Sequence, residues 1–281
     1  MRRSQLTESG NDSLRTKSRV CALLVAAALL LPCFTVPGVY ADSGNEQAQQ
    51  EAAAVQEESE TVSVPASAKY GKQYKKRKKY KGPSKWKKSV EALEAKNSSA
   101  ELQGRVLFIG SSSIRKWTSL EADMAPLEVI NQGFGGCTVN DCVYYADRLV
   151  VPYKPEAIVF YAGTNDIAYG YSASVVYARS VDFISYIHEA LPDTPIYYIE
   201  QTRQPKRNKY WKKMKSLNSK MKKYAESDPL VTFISTRKTL NTKKDKARSK
   251  YFVKDKLHFS KKGYAVWASV IRPVLYEDLL D

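Results

Sequence analysis

Five short apolar runs recur between residues 105 and 234: Arg105–Ile109, Leu127–Ile130, Ala157–Tyr161, Pro195–Ile199 and Leu230–Ile234. Each has the length and the Val, Ile and aromatic content of a buried strand. Helical patterns separate them, notably Ser174 to Ala190 and Lys209 to Glu226, and a last helical pattern covers Lys261 to Leu275. Strands that alternate with helices return by long crossovers, so the expected sheet is parallel and covered by helices on both faces. Open sheets of this kind gather their ligands beyond the carboxyl ends of the strands. The residues that follow the first three runs are therefore the ones to read for chemistry.

The chain has 281 residues, 43% of them hydrophobic, which leaves room for one ordinary domain and substantial extensions. Residues 1–41 read as an export signal. Arg15, Lys17 and Arg19 precede an apolar run from Val20 to Leu31, Pro32, Pro37 and Gly38 break the helix, and Val39-Tyr40-Ala41 is a small-residue cleavage site. The alternative is an uncleaved membrane anchor, because no charge occurs between Arg19 and Asp42. Cys33 follows Pro32, a poor fit to the small residue that lipidation sites need. The expected location is exported, periplasmic or extracellular, with anchorage left open.

Residues 42–68, rich in Ala, Gln, Glu and Ser, read as a disordered linker that cannot bury enough surface to fold. Residues 69–88 form a basic segment without a single acidic residue, which contributes much of the net charge of +16. Tyr70, Tyr74, Tyr80 and Trp86 interleave with its cations, as in segments that hold anionic polymers. In an exported protein the anionic partner is expected among lipid head groups, phosphorylated envelope polymers and acidic polysaccharides, and no specific nucleic acid is expected. The competing reading of Lys69–Lys88 is a solvated tail with no partner.

With Cys21 and Cys33 in the signal, Cys137 and Cys142 remain, as a local disulfide or as two thiols. With two histidines in the chain, no zinc-type cluster can be assembled, so no metal and no cofactor are expected. Ser112 lies two residues beyond Gly110, where the first apolar run turns into a helical stretch; taken alone, as one of three consecutive serines, it reads first as a capping or loop serine. His188 sits late in a helical pattern, where an imidazole commonly caps a helix end. His258 follows Asp255 by three residues, so one turn can hold the carboxylate against the imidazole. Gly135-Gly136 taken alone is a tight turn.

Four segments, Gly110-Ser111-Ser112-Ser113, the run from Asn131 to Gly136, Gly163-Thr164-Asn165-Asp166 and Asp255-Lys256-Leu257-His258, appear in the order of the blocks of the SGNH (GDSL-type) hydrolases, and from about Ser84 onward the chain resembles that family. The resemblance implies a flavodoxin-like three-layer α/β/α fold with a five-stranded parallel sheet, over a hydrolase domain at 89–281. It implies a serine esterase acting without metal, with Ser112 as nucleophile, His258 as base and Asp255 as its partner. It further implies an oxyanion hole made by the backbone N–H groups of Ser112 and Gly136 and the side-chain amide of Asn165. Ser111 departs from the family's usual Asp, and Cys137 stands where many relatives carry Asp, Ser or Thr.

The function expected is removal of short acyl groups, acetyl among them, from envelope or extracellular polysaccharide. The alternatives are a lysophospholipase or thioesterase, or a binding protein whose catalysis is incidental. Tyr144, Tyr145, Tyr169 and Tyr171 lie near the Gly136 and Asn165 blocks and could stack on sugar rings or serve as packing residues. The sequence does not fix the acyl chain length or the oligomeric state.

Overall fold

The structure, a computed structural model, describes Tyr80, residues 82–98 and residues 102–280, all within the unit Thr61–Asp281. The expected export signal and linker, and all of the basic segment before Tyr80, lie outside the described residues. Among the described residues no helix is long and apolar enough to cross a membrane.

The apolar runs form β1 (Val106–Gly110), β2 (Val129–Gly133), β3 (Ala157–Tyr161), β4 (Ile196–Ile199) and β5 (Val231–Ile234), in a parallel sheet of order β2-β1-β3-β4-β5. Strand β1 is buried along its whole length because alternate residues feed two cores. Leu107 and Ile109 point into one, with Ile158, Phe160 and Tyr198. Val106 and Phe108 point into the other, with Val159, Tyr161 and Trp267. That two-sided burial is why these strands read as continuous apolar runs and not as an alternating pattern.

The helices that matter here are α1 (Lys87–Lys96), α2 (Ser112–Arg115), α3 (Val139–Tyr144), α4 (Thr164–Ala168), α5 (Ala173–Ala190), α6 (Trp211–Ala225) and α7 (Lys261–Leu279). Helices α1, α3, α5 and α6 cover the first face, and α2 and α7 the second, giving the three-layer arrangement. Strand β2 runs past the expected end at Ile130 into polar residues, because Gln132 is buried with a partner in Asn97, 3.2 Å away. The fold also takes in residues upstream of the expected domain start at 89: Tyr80 and Trp86, read as part of a polymer-holding segment, are both buried.

Candidate active site

Gly133, Gly110 and Tyr161 stand level in register at the ends of β2, β1 and β3, so the three loops that follow spring from one line. Only glycine fits at position 110: its φ is +153°, and a Cβ there would lie 2.1 Å from the Tyr161 carbonyl oxygen. The chain then turns sharply into α2, whose first residue is Ser112.

The loop bearing Asp255 and His258 precedes α7. An antiparallel bridge between Phe252 and Phe259 closes it, and the Ser260 hydroxyl caps α7 by accepting the Gly263 N–H. The Tyr264 hydroxyl donates to the Ser113 carbonyl at 2.8 Å and ties α7 to α2. Trp117 stacks on Tyr264 and meets Trp267 at 5.2 Å, so an aromatic cluster fixes the distance between the serine and the histidine loop.

The three residues expected to carry catalysis meet in one line. His258 Nε2 is 2.9 Å from Ser112 Oγ, and His258 Nδ1 is 2.6 Å from Asp255 Oδ2. The second oxygen, Asp255 Oδ1, accepts the backbone N–H groups of Leu257 at 2.8 Å and His258 at 2.9 Å. Burial works against the Asp255 charge, but these donors outweigh it and hold the carboxyl well below the usual carboxylate range. An ionised Asp255 makes Nδ1 the protonated nitrogen and leaves the Nε2 lone pair for Ser112. The Lys116 ammonium lies 3.3 Å from the same Nδ1; with that N–H turned to Asp255, the lysine contributes positive charge and not a second hydrogen bond.

The expected oxyanion donors follow the carboxyl ends of β1, β2 and β3. The backbone N–H groups of Ser112 and Gly136 enter no backbone hydrogen bond among the described residues. Gly136 has φ +84°, and a Cβ there would be 3.0 Å from the Trp86 ring, so the glycine loop is backed directly by an indole. The Asn165 amide donates from Nδ2 to the Cys137 carbonyl at 2.8 Å. Cys137 and Cys142 are both free and buried, with sulfurs 3.9 Å apart.

Other groups brace this frame. Thr138 and Asp141 cap α3 reciprocally, and the Tyr80 hydroxyl donates to Asp141 Oδ1 at 2.6 Å. Asp166 takes the Val139 N–H on Oδ2 and Arg179 Nη1 on Oδ1, linking the Asn165 loop to α3 and α5. Tyr171 is buried beneath the Arg179 guanidinium at 3.9 Å and Tyr145 is buried against Phe134, which makes both packing residues. Tyr144 is exposed and Tyr169 half-buried. His188 is remote from this line, 3.7 Å from Asp228.

The sequence reading missed two residues here. Trp86 looked like part of a charged tail, and Arg207 was one basic residue among many. Its guanidinium in fact reaches Thr164 and Asn165.

A sequence profile of GDSL-like lipases and acylhydrolases matches residues 107–266, more than half of the chain. The chain belongs to the GDSL-like lipase/acylhydrolase family. Members of this family are ester hydrolases, and its profile spans β1 through the first turns of α7. Solved structures agree in fold. A protein from Streptococcus pneumonia, provisionally named a platelet activating factor, aligns with TM-score 0.61 at 19% identity, over 69% of this chain and 94% of its own. A GDSL-like lipase from Bacteroides thetaiotaomicron VPI-5482 gives 0.57 at 19% identity, over 70% and 98%. A family 3 carbohydrate esterase from Clostridium thermocellum gives 0.54 at 13% identity, over 63% and 98%. No curated protein sequence matches the chain.

Proposed function

We propose that this protein is an exported serine esterase that removes short acyl groups from an anionic envelope or extracellular polysaccharide, through an acyl-enzyme on Ser112. The observation that carries the reading is the hydrogen-bonded line from Asp255 through His258 to Ser112, at 2.6 and 2.9 Å. A serine hydroxyl is a weak nucleophile until a base takes its proton. Here His258 Nε2 takes it as Ser112 Oγ attacks the ester carbonyl carbon, and Asp255 stabilises the imidazolium that forms. The carbonyl oxygen gains the negative charge, which the N–H groups of Ser112 and Gly136 and the amide of Asn165 receive. Collapse of the tetrahedral adduct expels the alcohol, which leaves with the proton from His258. Water then attacks the acyl-serine by the same route, with His258 as base, and releases the acid.

The substrate class rests on the carboxyl edge of the sheet. A cleft of about 870 Å³ opens there beyond β4 and β5, lined by Lys215, Lys222, Lys238, Lys243 and Arg248 around a buried Glu200. Asp245, the other acid of the cleft, is occupied by Arg237 at 2.7 Å. Three strand positions separate β5 from β1, about 14 Å at the usual strand spacing. The cleft does not include Ser112, but a polymer running from it across the width of the sheet would reach the loop after β1, and exposed Tyr144 offers a ring face to a sugar. The fold shared with the Clostridium thermocellum carbohydrate esterase agrees with a saccharide substrate. Exported location and the polymer-holding part of Lys69–Lys88 belong to the same proposal.

The test is hydrolysis of p-nitrophenyl acetate, butyrate and octanoate by the full chain beside Ser112→Ala, followed by acetate release from acetylated acidic polysaccharide. Activity that favours acetate and disappears in the variant is expected. A preference for octanoate would transfer the assignment to a lysophospholipase or thioesterase, and equal signal from both proteins would sink the serine esterase.

A further inference from the structure

We infer that Arg207 is a positioning residue that fixes the Asn165 side chain in the single orientation that turns its amide hydrogens toward the ester. The inference rests on the proposed role of Asn165 in the oxyanion hole. An asparagine amide has two faces of nearly equal shape, one accepting and one donating, and its neighbours decide which way it lies. Arg207 Nη2 is 2.6 Å from Asn165 Oδ1, and Arg207 Nη1 is 2.8 Å from Thr164 Oγ1. A guanidinium has only donors, so the group facing it must be the oxygen.

The opposite side of the amide agrees. Asn165 Nδ2 is 2.8 Å from the Cys137 carbonyl oxygen, which only accepts. Flipping the amide would set N–H against N–H at Arg207 and oxygen against oxygen at Cys137, losing both hydrogen bonds. With one Nδ2 hydrogen on Cys137, the residue that follows Gly136, the second is left for the oxyanion. The guanidinium charge beside Oδ1 also draws electron density through the amide and makes Nδ2–H a stronger donor.

The setting of Arg207 suits this task. Arg207 donates to the neutral side-chain oxygens of two adjacent residues, Thr164 and Asn165, and not to a carboxylate. Burial lowers its pKa from the ordinary guanidinium value, the mark of a cation held partly out of water. The neighbouring Lys206 N–H donates to the Lys256 carbonyl at 2.8 Å, and Lys256 lies between Asp255 and His258. One short segment after β4 thus sets the Asn165 amide and the His258 loop against each other.

The test is a double-mutant cycle in the full chain, with p-nitrophenyl acetate as a neutral substrate. Asn165→Ala should lower kcat about a hundredfold to a thousandfold. Arg207→Met alone should lower kcat about tenfold to a hundredfold with KM within about twofold, yet change little when added to Asn165→Ala, because the partner it acts on is gone. Arg207→Lys, which keeps the charge but not the planar fork, should recover part of the loss and serves if Arg207→Met unfolds. Multiplying effects in the double variant would overturn the inference, as would a loss confined to KM for anionic esters. Full activity of Asn165→Ala would instead remove the oxyanion reading on which it rests.

Discussion

Arg179 Nη1 donates to Asp166 Oδ1 at 2.9 Å with both side chains shielded from solvent, while Asp166 Oδ2 holds the Val139 N–H at 3.0 Å. This buried pair fastens the residue after Asn165 to the helix that follows Gly136. The segments carrying Gly136 and Asn165, the proposed oxyanion donors, are thereby registered by one carboxylate. A buried ion pair is weak evidence for stability, and its better-attested use is to fix an arrangement.

Burial pushes the Asp166 carboxyl from 3.8 up to about 6, against the pull of Arg179. A folded-state value above the unfolded one gives a stability contribution that is full below about 3.8 and is lost as pH rises through about 6. Wild type should therefore lose stability relative to Asp166→Asn between pH 4.5 and pH 7.5. Thermal unfolding of both proteins across that range checks it, and a constant offset between the two curves would reject the assignment.

Asp255→Asn should leave the fold intact and lower kcat by about 10⁴-fold, since an amide donor at Asp255 would favour the wrong tautomer of His258. Because its donors keep Asp255 ionised far into acid, the pH–rate profile of wild type should show no loss assignable to this carboxylate between pH 5 and pH 8. Circular dichroism with single-turnover acylation separates this from unfolding.

Trp86 meets Phe134 edge-on at 6.2 Å and backs Gly136, with 8% of its surface exposed. Trp86→Ala should cost about 3–5 kcal/mol of stability, as for other buried aromatics, and lower kcat by freeing the glycine loop. Chemical denaturation measures the first effect. Trp86→Phe should retain most of the activity, and equal damage from both substitutions would place the indole's role outside packing.

Burial pushes the Cys137 and Cys142 thiols up, which disfavours the reactive thiolate. Neither should be alkylated by iodoacetamide at pH 8 in the folded protein, and both should be after denaturation without reductant. Modification of only the reduced, denatured chain would reveal a disulfide instead.

The apolar runs announced the sheet because central parallel strands must be greasy on both sides, and Ala157–Tyr161 was located to the residue. Strand β2 was read to start two residues early and end three residues early, since nothing local signals that a partner as distant as Asn97 will bond Gln132. The residues later found in line, Ser112, His258 and Asp255, were legible through their blocks and not through composition. Arg207, Trp86 and the Asp166–Arg179 pair were illegible for a common reason: each acts across the fold through a contact that has no periodicity and no characteristic spacing. The two cysteines stood at a separation equally suited to a bridge or to two thiols, which only their burial and sulfur distance resolved.

The indole behind Gly136 and the phenol on Asp141 both come from the lysine-rich stretch that precedes the hydrolase blocks. The polymer-holding role proposed for this stretch and the proposed turnover are consequently not independent. A fusion junction or a truncation placed between Tyr80 and Trp86 spares every residue proposed to touch the ester, yet it should register in an assay as slower hydrolysis.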